Sequence, residues 1–366
     1  MARYTVKKLD VTRHAVQQTS FRILYAAFNE ASDRRAATDT LPKKTNMFAK
    51  LEHTECFGVF QGATQVGFGI LRDLKNGAFR ISHVAVEPAF RHDGAGAKLV
   101  RAMVRSVVGR GGDTVILQTD PNKKEERKWF QSLGFAPPKR GTDDGVSLTL
   151  TVDDRIRTYL DLCEMLDRYA DLVYGFYAVD EDPYCDTFPV ALVLMRPYRC
   201  TGNESEEAYH ELLLREKDRL NEILRSVSNY LNDRGVQNLP MPLHRDDVDE
   251  SLARKAAAMR AGLGWLGKND RVVHRIYGSQ TVSCRIYVNA DLPTNIHIRQ
   301  NQCGNCTLCV KACPVECLKN KKWSARVSRK EIIDESACLE YRSRSYIQTG
   351  RYVECDRCVR CCPGKK

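Results

Sequence analysis

Ten of the fifteen cysteines in this 366-residue chain fall between Cys303 and Cys362, and the last four stand within eight positions of one another. A segment this rich in thiols has little from which to build an ordinary apolar core, so something besides side-chain packing must organise it. Apolar residues make up 43% of the chain and charged residues 28%, as in globular proteins generally. The longest apolar run, 188–195, falls far short of the ~20 residues that cross a bilayer. The opening MARYTVKKLD lacks the apolar stretch of a secretory signal. These features predict a cytoplasmic protein without a membrane partner, whose thiols stay reduced and bind metal rather than pair as disulfides.

The run CGNCTLCVKACP reads C-x2-C-x2-C-x3-C-P, with its thiols at Cys303, Cys306, Cys309 and Cys313. Three closely spaced thiolates can take three corners of one [4Fe-4S] cubane, while the fourth, followed by Pro314, ligates a second cluster. Structural zinc would use paired C-x2-C knuckles and leave the C-x3-C-P unexplained. Two cubanes need eight thiolates. The ending ECDRCVRCCPGKK offers Cys355, Cys358 and one of Cys361 and Cys362, of which Cys362 precedes a proline. Cys338, in ESACLEY, completes the count. The expected sets are therefore Cys303, Cys306, Cys309 and Cys362 for one cluster, and Cys313, Cys338, Cys355 and Cys358 for the other. Cys361 is the alternative to Cys338, and Cys317 reads as a spectator. From Arg299 onward, 15 Lys and Arg face 7 Asp and Glu, giving +8 of the chain's +11. Two oxidised clusters at about −2 each would offset part of this. A tRNA-binding surface through Lys319, Lys321, Lys322, Arg326 and Arg329 is a further reading of the excess.

The first 150 residues alternate strand and helix signals, which predicts an α/β domain with a mixed sheet. In VAVEPAFRHDGAGAKLV, Arg91, Gly94 and Gly96 lie between a strand and a helix, where backbone N–H groups and the helix dipole suit a pyrophosphate. With the downstream WFQSLGF, this region over 3–152 resembles the GNAT acetyltransferase family. The resemblance implies that the R-x-x-G-x-G loop holds acetyl-CoA. Many members carry a tyrosine that protonates the departing thiolate, at the position that is Phe130 here. The family's strand carboxylate is also not evident; His83 is the nearest candidate base, or else a strand residue with a satisfied hydrogen bond.

From 155 to 300 the pattern is again α/β. AGLGWLGKND places Gly262, Gly264, Trp265, Gly267 and Lys268 in one loop, which by residue type suits a phosphate nest, a cofactor shelf or an irregular turn. With YGSQTVSCRIYVNADLP and the cysteines downstream, the region 155–366 resembles the epoxyqueuosine reductase family. That resemblance implies cobalamin beside two [4Fe-4S] clusters, an electron donor such as flavodoxin or ferredoxin, and an epoxide on tRNA as substrate. Members acting on that epoxide carry an acid in a D-Y-H triplet. The matching stretch here has Ala208 before Tyr209 and His210, and Glu207 points about 100° away on a helix. Tyr209 and His210 are candidate proton donors, or simply helix residues packing the domain.

The sequence thus predicts three parts: an acetyltransferase-like domain over 1–152, a reductase-like α/β domain over 155–298, and a ferredoxin-like double-cluster module over 299–366. Its first functional reading is a bifunctional reductase and N-acetyltransferase acting on a small molecule or modified nucleoside. The second is an electron-transfer protein with an acetyl-CoA-binding sensor domain.

Overall fold

A computed structural model of the chain describes residues 4–29, 53–137, 147–180, 183–198, 200, 205–244, 252–349 and 355–364. The chain divides into two units, Met1–Glu164 and Met165–Lys366. The division falls inside the helix Asp154–Leu166 rather than at the expected boundary between 152 and 155, and 299–366 groups with the elements before it.

The first unit is built on a six-stranded sheet in the order β1 (Tyr4–Lys8), β2 (Thr54–Gln61), β3 (Thr64–Asp73), β4 (Ala78–Val86), β5 (Thr114–Gln118) and β6 (Ser147–Thr151). Only β4 and β5 run parallel, which makes the sheet mixed, as predicted. Strand β3 is buried along most of its length because both faces are covered. Phe68 and Ile70 pack with Ile23 and Leu24 of α1 (His14–Asn29). A Cβ on Gly69, on the opposite face, would come within 3.0 Å of the Met103 sulfur of α2 (Ala95–Gly109). Leu99, Val100, Met103, Val104 and Val107 recur at helical spacing and are buried, so α2 presents a full apolar stripe to the sheet. α3 (Lys124–Gln131) and α4 (Asp154–Leu166) complete this part of the chain.

The second unit centres on a four-stranded antiparallel sheet: β7 (Val173–Ala178), β8 (Val190–Pro197), β12 (Thr281–Val288) and β9 (Asn238–Met241), in that order. All eight residues of β12 are buried. The 27-residue α5 (Glu206–Asn232) packs on β12, β8 and β9, and α6 (Leu252–Arg260) on β12 and β7. Ser205 caps α5 by accepting from the Ala208 N–H. A short ribbon of β10 (Trp265–Leu266) and β11 (Val272–Val273) follows. The cysteine-rich tail is shorter in its elements, α7 (Leu308–Ala312) and α9 (Arg357–Arg360), but α8 (Glu335–Thr349) is a fifteen-residue helix. No helix among the described residues is long and apolar enough to cross a membrane.

Candidate functional site

In the first unit, Gly94 caps α2 with φ +83°, a left-handed conformation that L side chains rarely adopt. The first helical bond runs from Lys98 N–H to the Gly94 carbonyl, so the amides of Ala95, Gly96 and Ala97 have no acceptor inside the helix. A Cβ on Gly96 would lie 3.2 Å from the Trp129 ring, so glycine here lets the helix start close to α3. Arg91 departs from the expected ligand role. Its guanidinium turns inward and donates to the carbonyls of Val86 at 3.1 Å and Ala27 at 3.0 Å, tying the loop to α1. Asp93, in the same loop, accepts from the Tyr4 hydroxyl at 2.8 Å.

His83 follows a bulge in β4, where Ile70 pairs with His83 but Leu71 pairs with Ile81, leaving Ser82 over. Its Nδ1 is buried without a hydrogen-bond partner. Burial, then the charge of Arg72, holds its pKa below the ordinary imidazole value, so the ring is neutral near pH 7. Phe130 is buried against Trp129 and Phe135 and has no polar atom to offer.

In the second unit the ten clustered cysteines sort into two groups of five. Burial, then Cys361, Cys362, Cys303 and Cys306 as neighbours, push the Cys309 thiol up to about 12. Burial and the adjacent Cys362 and Cys306 likewise raise Cys361, to about 11. The packing of α7 against α9 brings these thiols together across some fifty residues. The other group surrounds a cavity lined by Cys313, Cys317, Cys338, Cys355 and Cys358. There the Cys313 and Cys317 sulfurs lie 3.4 Å apart. Cys338, Cys355 and Cys358 are all raised, first by burial. Cys361 therefore sits with Cys362, away from the group it might have completed. Cys317 is in contact with a proposed ligand rather than remote from the site.

Among the described residues, no three His, Cys, Asp or Glu side chains converge closely enough to chelate one metal ion. A cubane is ligated corner by corner, each thiolate to its own iron, so thiols grouped around a space suit it better than thiols aimed at a point.

The Gly-Trp loop is buried rather than open. A Cβ on Gly262 would stand 2.8 Å from the Ile296 carbonyl oxygen, on Gly264 2.5 Å from that of Val273, and on Gly267 2.6 Å from the Val273 side chain. The three glycines serve packing against the chain itself. Trp265 and Lys268 are 2% and 4% exposed. The indole N–H of Trp265 donates to Cys303 Sγ at 3.4 Å, and Lys268 Nζ donates to the Cys306 carbonyl at 2.9 Å. The loop is thus the floor of the first thiol group. It is not an exposed shelf: these five residues face the thiol group and the chain itself.

Several positions the sequence did not single out hold the tail in place. Asn269 donates to the Cys358 carbonyl at 3.0 Å and Gln280 to that of Arg360 at 3.0 Å. Gly278, at φ +63°, has the Cys362 carbonyl oxygen 2.0 Å from where its Cβ would be. Asp270 accepts from buried Lys255 at 2.8 Å and from Arg329 at 2.8 Å, and Arg329 reaches Glu335 at 2.7 Å. That guanidinium is committed inside the fold, so Arg329 leaves the expected basic surface, whereas Lys319, Lys321, Lys322 and Arg326 are exposed. An H-x-x-x-G-S-Q string between β11 and β12 was the available signal for the clamp, but nothing local says what it grips.

Of the candidate donors, Tyr209 is buried and gives its hydroxyl to Asp356 Oδ2 at 2.8 Å. Burial first, then Tyr198 and Asp356, raise its pKa well above the phenol range. His210 Nδ1 is buried without a hydrogen-bond partner.

Residues 19–135 match the family model described as Acetyltransferase (GNAT) family. A part of the chain is also similar to curated proteins named epoxyqueuosine reductase. The one from Gloeobacter violaceus is 34% identical over 123 residues, covering 31% of this chain and 35% of that protein. Those of a Synechocystis species and of Bacillus anthracis are 32% and 31% identical, covering 35% and 43% of this chain and 45% and 39% of those proteins. The chain therefore spans less than half the length of these relatives. Among solved structures, an N-acetyltransferase of Thermoplasma acidophilum in complex with coenzyme A is 12% identical with a TM-score of 0.36, over 41% of this chain and 99% of that one.

Proposed function

We propose that the chain joins an acetyl-CoA-dependent N-acyltransferase to a two-cluster iron–sulfur reductase of the epoxyqueuosine-reductase kind. The observation that carries the reading is the sorting of ten cysteines into two groups, one of them set over the buried Gly-Trp loop and the other around a separate cavity. Cys303, Cys306, Cys309 and Cys362 would hold one [4Fe-4S] cluster, and Cys313, Cys338, Cys355 and Cys358 the other. When bound, the clusters supply one-electron transfer from a donor protein such as a flavodoxin or ferredoxin. The chain's own part is to shield the thiols partly from solvent, to neutralise cluster charge with Lys268, Arg271 and Arg342, and to clamp the tail through Asn269, Gly278 and Gln280. The reducible substrate is a small molecule or a modified nucleoside, in tRNA or free. Ala208 leaves no carboxylic acid at the triplet position, and Tyr209 keeps its proton on Asp356. No step is therefore assigned to a corrinoid or to either residue as an acid.

In the acyltransferase unit, the first-turn amides of α2 would bind the acetyl-CoA pyrophosphate, with Gly94 and Gly96 allowing its approach. Neutral His83 would accept the proton of the attacking amine. Phe130 cannot return a proton to the departing thiolate, so that proton comes from water or from the amine.

A second reading is favoured by the burial of Trp265 and Lys268, which leaves the Gly-Trp loop serving the thiols alone. In it the chain passes electrons to a partner enzyme, and the first unit senses acetyl-CoA. Anaerobic reconstitution with iron, sulfide and cobalamin, followed by metal and corrinoid analysis, separates the two. About eight irons with one retained corrinoid supports the reductase, and eight without corrinoid the carrier. Four irons, or zinc, overturns the two-cluster assignment.

A further inference from the structure

We infer that Trp265 and Lys268 are positioning residues that set the reduction potential of one cluster only, the one held by Cys303, Cys306, Cys309 and Cys362. The inference rests on the two-cluster reading above and extends it to how the two clusters are made unequal.

A buried indole N–H usually finds a strong acceptor. That of Trp265 is 2% exposed as a residue and donates to a sulfur, Cys303 Sγ, at 3.4 Å. A thiol sulfur is a weak acceptor, and it becomes a good one only when it carries negative charge. The contact is therefore worth most when Cys303 is a cluster ligand, and more again when the cluster has gained an electron. Hydrogen bonds to ligand sulfur stabilise the reduced form in this way and raise the potential.

Lys268 acts on the same side. It is 4% exposed, and its Nζ donates to the Cys306 carbonyl at 2.9 Å, which fixes a cation beside the ligand loop where the dielectric is low. The geometry is locked by Asn301, which donates to the Leu266 carbonyl at 2.6 Å and accepts from the Cys303 N–H at 2.9 Å. One asparagine thereby joins the Trp265 ribbon to the ligand loop. The groups facing the second set of thiols are different ones: Arg342, Arg271 and Asp356. Changes at Trp265 and Lys268 should reach one couple and leave the other alone. Each couple is a one-electron reduction of a cluster core from 2+ to 1+ by a low-potential one-electron donor, with no bond or proton exchanged.

The test is an anaerobic redox titration with dithionite, followed by electron paramagnetic resonance, on the reconstituted full chain. Trp265→Phe keeps the ring and removes the N–H. Lys268→Gln keeps a donor for the Cys306 carbonyl and removes the charge. Each is expected to retain about eight irons and to shift one couple to more negative potential while the other stays within error. A packing role alone would move stability and leave both potentials in place, and that result overturns the inference. A measurement on the unmodified protein guards against variants that lose a cluster. After exchange into D2O, electron–nuclear double resonance of the reduced protein should show an exchangeable deuteron coupled to one cluster and absent in Trp265→Phe. No such deuteron overturns the inference as well. Wild-type protein that takes up no iron would instead refute the two-cluster reading beneath it.

Discussion

Tyr209, near the start of the longest helix, donates its hydroxyl to Asp356, 147 residues later, at 2.8 Å. Asp356 stands at the N-terminal boundary of α9, between Cys355 and Cys358, and lies 3.5 Å from Arg271 through its other oxygen. The Tyr209 ring also lies edge-on to Tyr198 and beneath the Arg360 guanidinium. A side chain that the sequence offered as a proton donor thus joins α5 to the tail.

Tyr209→Phe keeps the ring packing and leaves a buried carboxylate short of one donor. Its expected cost is about 1–3 kcal/mol, measured by chemical denaturation of the apo chain. Iron retention should fall as well, because Asp356 shapes the Cys355–Cys358 turn. Unchanged stability and iron content would mean that the hydrogen bond is not made in solution.

Gly278→Ala brings a methyl group onto the Cys362 carbonyl at a residue whose φ is +63°. Left-handed strain and overpacking together predict a loss of about 2–5 kcal/mol or release of the tail. Limited proteolysis near residue 362 and iron content report it. Gly109→Ala, with nothing within 4 Å of its Cβ, is the matched control.

Single substitutions of the ten thiols should divide cleanly. Cys317→Ala and Cys361→Ala are expected to keep about eight irons after reconstitution, whereas Cys313→Ala and Cys338→Ala lose a cluster or convert it to a form with fewer irons. Iron and sulfide assays with Mössbauer spectra check this. Loss on Cys361→Ala and not on Cys362→Ala would exchange those two residues in the assignment.

His274 gives the second unit a pH dependence. Its Nδ1 accepts from the Ile276 and Tyr277 N–H groups at 3.2 and 3.4 Å, and burial lowers its pKa to about 4 from the ordinary 6.5. A depressed histidine pKa means that the unfolded chain binds the proton first. The stabilisation is complete above pH 6.5 and is lost as pH falls from there toward about 4. The turn 274–278 carries Gly278, so the tail clamp should loosen over the same window. Thermal denaturation from pH 7.5 to 4.5 should show this slope, reduced in His274→Asn, which keeps an acceptor and does not titrate.

Acetyl-CoA binding by the first unit should depend on the shape of the α2 entrance more than on the Arg91 guanidinium. Gly94→Val forces a branched side chain into φ +83° and is expected to weaken acetyl-CoA binding at least tenfold by calorimetry. Arg91→Lys should lower stability through the lost Ala27 and Val86 contacts, with a smaller effect on affinity. A greater loss of affinity with Arg91→Lys than with Gly94→Val would restore the arginine as a ligand.

By itself, the sequence determined what short-range geometry can encode. Two-residue gaps bring Cys303, Cys306 and Cys309 into one turn. The strand-to-helix glycines mark the α2 entrance. These depend on neighbours within a few positions, so they can be read before any fold is known. Only the tertiary structure decided which distant thiols share a space: Cys361 and Cys362 go with the first group because α9 packs on α7, while Cys317 lies against Cys313. It also decided that Arg91 turns inward, and that the three glycines of the Gly-Trp loop lie tightly against the chain itself. A glycine or an arginine has the same identity in the sequence whether it faces ligand or chain. What it faces is set by elements tens of residues away, and their arrangement follows from burying the apolar faces of both sheets.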